Sequence, residues 1–189
     1  MRRSSRHAQR KQQAGFTLVE LILGIIVLAI SLVFLATAIF PESGRSVSNL
    51  HRVRAAELAH SILNEAWNSR YDENSGPSGG LPACNGNDPL SKTCTPSSLF
   101  GPCVANDCGQ VKPRDFYSDV DDYHGLNQNT LMVSSSRTYS DDYPGYQVEV
   151  TVYYPSSSGA EDQSQKIIEV AVTTPGNEVI PFHAIRSNY

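Results

Sequence analysis

The sequence predicts an α+β chain. A long, bent amino-terminal helix, half membrane-spanning and half amphipathic, precedes an antiparallel β-sheet on which the amphipathic half packs. A long cysteine-containing loop region lies between helix and sheet. Three observations carry this prediction. Residues 21–40, LILGIIVLAISLVFLATAIF, hold no charge. Apolar residues between Arg45 and Tyr71 recur mostly at spacings of three to five. Tyr146 to Tyr154 alternates at period two, the signature of a strand with one buried face.

The first fifteen residues carry Arg2, Arg3, Arg6, Arg10 and Lys11 and no acid. The whole chain of 189 residues has 15 basic and 19 acidic residues, so the remainder keeps 10 and 19, a net charge of −9. A short basic run ahead of an apolar segment reads as a targeting signal held on the cytoplasmic side. The acidic body has no electrostatic reason to bind phosphate backbones, so nucleic acid is not expected as a partner. Residues 1–15 are therefore read as a leader and 16–40 as the membrane helix. Twenty helical residues span about 30 Å, the thickness of a hydrocarbon core.

Pro41 and Gly44 interrupt the apolar pattern, and a bend is expected there. Residues 41–71 form the amphipathic continuation. Val47, Leu50, Val53, Leu58, Ile62, Ala66 and Trp67 make its apolar face, with Trp67 and Tyr71 expected against the sheet. Arg52, Glu57, His60, Asn64 and Arg70 make the opposite face.

Residues 72–129 show no sustained period. They contain Cys84, Cys94, Cys103 and Cys108, spaced C-x9-C-x8-C-x4-C. That spacing lacks the close pairs of a zinc site, and an even count beyond an exported segment favours disulfides. Three pairings are open, and the reading favoured here joins sequence neighbours, Cys84–Cys94 and Cys103–Cys108; buried free thiols are the alternative. Residues 130–189 are assigned to the sheet. Its strands are 146–154, 166–174 with Ile168, Val170 and Val172 on one face, 179–185 at an edge because of Pro181, and a fourth at 130–139.

Glu20 lies at the start of the apolar run, five residues after Gly15. A carboxylate in hydrocarbon costs about 2.5–3.5 kcal/mol, so it demands a partner. Gly15-Phe16-Thr17-Leu18-Val19-Glu20, with a basic leader before it and an unbroken apolar helix after it, resembles the type IV prepilin signature. The resemblance implies a type IV pilin-like fold and a membrane prepilin peptidase that cuts between Gly15 and Phe16 and methylates the new Phe16 amine. It also implies that Glu20 pairs with the amine of an adjacent subunit during assembly with other major and minor pilins. The precursor would sit in the bacterial inner membrane as a single-pass protein with its carboxy-terminal domain in the periplasm, then move to the pilus and cell surface. The stretches around Arg54–Glu65, Tyr71–Ser75 and Asp119–Leu126 are similar to minor pilins of the mannose-sensitive haemagglutinin (MSHA) pilus, which implies a structural role in cell adhesion and no enzymatic activity.

Other readings compete. Ala36-Thr37-Ala38 resembles a secretory cleavage site, which would start the mature chain at Ile39. A plain membrane anchor, a minor pseudopilin of a type II secretion system and a membrane-anchored periplasmic enzyme or binding module are further alternatives. Asp115, Asp119, Asp121 and Asp122 form an acidic cluster suited to calcium, although the EF-hand spacing fails; aspartate-capped turns are the simpler reading. Gly76-Pro77-Ser78-Gly79-Gly80 matches G-x-S-x-G but follows a helix rather than a strand, against a nucleophile elbow.

Overall fold

The computed structural model describes residues 15, 17–76, 80–104, 107–157 and 159–189, with the side chains of 39–46, 107, 108 and 157 also outside the description. Helix α1 runs from Leu18 to Asn68. The chain divides into two units within it, between Ser46 and Val47.

In the first unit, Leu18–Ala38 has a mean hydropathy of 3.0 and no buried part, and its length and composition suffice to cross a membrane. Apolar side chains cover every face, from Leu18 to Leu35. The few hydroxyls are satisfied by the helix itself: Ser31 Oγ donates to Val27 O at 2.8 Å and Thr37 Oγ1 to Phe34 O at 2.9 Å. Such back-bonding hides a polar group where no water is at hand. The helical assignment continues through Pro41 and Gly44. The side chains at the expected bend lie outside the described residues.

The second unit starts on the remaining turns of α1. Ala55, Leu58, Ala59, Ile62, Leu63 and Ala66 are buried at steps of three and one, a single stripe along the helix. The expected face is corrected at both ends. Val47, Leu50 and Val53 share the helical period but are more than half exposed, because the second unit covers the stripe only from Ala55 onward. Trp67 is 46 % exposed, and its ring lies 6.0 Å from the Arg186 guanidinium rather than in the core.

After the helix comes the loop region, in which Cys84 and Cys94 form a disulfide. Within it, β1 (Cys103–Val104) and β2 (Asp107–Val111) pair antiparallel around a bulge, a hairpin the sequence pattern did not reveal. One-turn 3-10 segments follow at Arg114–Phe116 and Asp121–Tyr123. The strand expected over 130–139 is absent. Leu131 and Thr138 make one isolated bridge, and Thr138 then caps the short helix α2 (Tyr139–Asp142). The cap is reciprocal, with Asp141 N–H donating to Thr138 Oγ1 and Thr138 N–H to Asp141 Oδ2. Side-chain capping has here displaced strand pairing.

The main sheet holds β3 (Gln147–Tyr153), β6 (Gln165–Thr173) and β7 (Val179–Ser187) in the order β3-β6-β7. A two-residue-strand hairpin, β4 (Ser156–Ser157) with β5 (Ala160–Glu161), intervenes. The register sets Val148 opposite Val172, Val150 opposite Val170 and Val152 opposite Ile168, so one face is a valine and isoleucine ladder against the helix stripe. Strand β7 occupies an edge, where Pro181 is tolerated.

Candidate functional site

The first site is the amino-terminal motif. Gly15 is exposed, and Thr17 precedes the first helical residue. Thr17 Oγ1 accepts the Glu20 N–H at 3.3 Å, so Thr17 caps the helix. That places Glu20 in the first turn, where the helix dipole favours a carboxylate. The Thr-x-x-Glu spacing is itself a helix-start signal in the sequence. Glu20 is exposed on the apolar rod, and among the described residues no cation meets it. Phe16 lies outside the described residues.

The second site is a buried ion cluster. Strand β6 begins its inward-facing series at Lys166, two residues before Ile168, and Lys166 is fully buried. Its ammonium donates to Asp72 Oδ2 at 2.8 Å and to the Tyr71 carbonyl at 2.9 Å, and it also contacts Asp121 Oδ1. Rings of Tyr71, Phe100 and Tyr154 surround it at 4.4, 5.0 and 5.4 Å. The side chains of Asp72 and Asp121 are 0 and 5 % exposed.

The two carboxylates are held differently. Asp72 accepts from Asn74 N–H at 2.9 Å and from Thr95 N–H and Oγ1 at 3.0 Å each. Burial works against its charge, but Lys166 and these donors hold its carboxyl below the usual carboxylate range. Asp121 touches Lys166 as an ion, yet neither of its oxygens has an aligned hydrogen bond. Burial, reinforced by the neighbouring Asp119 and Asp72 charges, pushes Asp121 well up despite the pull of Lys166. Burial and the Asp122 charge likewise push Asp119 up to about 6.

The four aspartates singled out from the sequence are thus not one group. Asp119, Asp121 and Asp122 are buried, and Asp115 is exposed and accepts the Ser134 N–H. Lys112 meets Asp122 at 2.9 and 3.1 Å and Asp119 at 3.9 Å. Burial opposes the Lys112 charge, but Asp122 and Asp119 hold its pKa above the ordinary value. Among the described residues, the three-residue group with metal-ligand spacing is Asp72 with Cys84 and Cys94, whose sulfurs are already bonded to each other. Cys103 is also disulfide-bonded, while the Cys108 side chain lies outside the described residues. Gly76 and Gly80 form an isolated bridge, and Pro77, Ser78 and Gly79 lie outside the described residues. Lys166 was missed in the sequence, although period two already placed it on the face of Ile168, Val170 and Val172.

A family model described as the prokaryotic N-terminal methylation motif matches residues 10–36. The match brackets Gly15, Phe16 and Glu20 and supports a chain of the type IV pilin or pseudopilin kind, made as a membrane-anchored precursor. Neither a curated protein nor a solved structure matches the chain.

Proposed function

We propose that the chain is a minor structural subunit of an MSHA-like type IV pilus, matured by removal of residues 1–15 and methylation of Phe16. The observation that carries this reading is Glu20, exposed in the first turn of a helix apolar on all sides and lying within the matched methylation motif. Cleavage after Gly15 frees an amine that keeps its charge on methylation. Amine and carboxylate each lose hydration in an apolar setting, and pairing between neighbouring subunits offsets that cost and sets register. The rod's other contacts exchange lipid for apolar side chains, which is close to neutral per unit area. The MSHA-type assignment rests on the resemblance of the segments around Arg54–Glu65, Tyr71–Ser75 and Asp119–Leu126.

Mass spectrometry of the native amino terminus tests the reading. A chain starting at N-methyl-Phe16 is expected, and a chain retaining the leader or starting at Ile39 overturns it. A minor pseudopilin of a type II secretion system shares the motif. Finding secretin-linked secretion genes beside this one, rather than pilus assembly genes, would favour that alternative.

A further inference from the structure

We propose that Lys166 and Asp121 are joined covalently in the mature protein, by an intramolecular isopeptide bond between Lys166 Nζ and Asp121 Cγ, with Asp72 as the proton acceptor. The three groups are assembled as a reaction requires. The nucleophile and the carboxyl group touch, and both side chains are withdrawn from water. Three aromatic rings line the Lys166 ammonium, so the water that opposes condensation is largely excluded. The base accepts from the same nitrogen at 2.8 Å and is fixed by three further hydrogen bonds from Asn74 and Thr95.

The two acids divide the roles. Asp72 is built to remain a carboxylate. Asp121 has no aligned hydrogen-bond donor on either oxygen, and its surroundings favour the neutral acid, which is the better electrophile. Lys166 gives one proton to Asp72 and attacks Asp121 Cγ as the free amine. The C–OH bond of Asp121 breaks, and the hydroxyl leaves as water with a second proton from the nitrogen. One ammonium, one carboxylate and one carboxylic acid become one amide, one carboxylic acid on Asp72 and one water. No oxidant, cofactor or second enzyme is needed.

The experiment is the intact mass of the full-length chain, denatured and with its disulfides reduced, followed by tandem mass spectrometry of a digest. Expected is a mass lower by one water than the processed sequence requires, with a branched peptide joining the Lys166 and Asp121 segments. An unshifted mass, a water lost without a branched peptide, or a branch at Asp72 overturns the proposal. Asp121→Ala and Lys166→Arg should each restore the missing water. Asp121→Asn should instead regain the branched peptide by releasing ammonia, giving the same cross-linked mass as the parent. These readings are independent of the amino terminus, so they stand or fall apart from the pilus assignment.

Discussion

Glu20 and Lys166 face the same physical difficulty in two parts of one chain, and the chain answers it in opposite ways. Each is an ion set among apolar side chains. Lys166 is met inside the second unit by Asp72, Asp121, a carbonyl and three rings. Glu20 stands on the surface of the first unit, and among the described residues no cation meets it. A charge whose partner is built in serves the stability of the fold. On the function proposed above, Glu20 serves association, its partner being the amine of a neighbouring subunit. On that reading, the contrast separates the part of the molecule that must hold together from the part that must join.

The contrast can be broken first at Lys166. Lys166→Met should destabilise the full-length chain in detergent by about 3–5 kcal/mol, because Asp72 and Asp121 stay buried without the side chain that neutralises them, whether as cation or as amide. Chemical denaturation reads this directly, and a loss near zero would mean that the cluster is not structural. Glu20→Ala comes next. It should leave leader cleavage and melting temperature intact while cutting incorporation into filaments roughly a hundredfold, the equivalent of about 2.5–3.5 kcal/mol at about 1.4 kcal/mol per tenfold. Quantitative immunoblots of sheared filaments against whole cells measure it.

A smaller effect sharpens the acidic side of the cluster. The Asp119 carboxyl is raised from 3.8 to about 6 in the fold, first by burial and then by Asp122. The folded state therefore holds this proton more tightly than the unfolded chain. Its contribution to stability is complete below the unfolded value and is lost as pH rises through about 6. Asp72, held low, acts in the opposite sense and loses its contribution on acidification. Asp119→Asn should thus flatten the fall in stability between about pH 4 and pH 6 relative to the parent, as read from denaturation midpoints. The smallest effects test the surface. Val53→Ser, at a residue 65 % exposed, should change stability by no more than about 0.5 kcal/mol. Calcium or EDTA should leave the melting temperature unchanged, since Lys112 and Lys166 already supply positive charge to Asp119, Asp121 and Asp122.

Much of the fold was legible because its signals are local. The apolar rod follows from composition, and β3, β6 and β7 follow from alternation, to within a residue or two at most of their ends. The favoured Cys84–Cys94 pairing is the one the structure contains. What failed depended on partners distant in sequence. Helical period grouped Val47, Leu50 and Val53 with Leu58 and Ile62, but it cannot say where the covering sheet stops. The β1–β2 hairpin is too short and too irregular to show a period. At the acidic cluster, the density of aspartates was legible but Lys166 was not, because it lies more than forty residues away along the chain and reaches Asp121 only through the fold. Acids near one another in sequence reveal a demand for positive charge and leave open which cation meets it.

Where α1 ends at Asn68, the chain reaches Asp72 within four residues, and there Lys166 fastens it to the central strand. The loop that leaves the helix is thereby tied to the middle of the sheet as well as to the helix end, so fraying of the last helical turn cannot carry the loop away from β6 without breaking this contact.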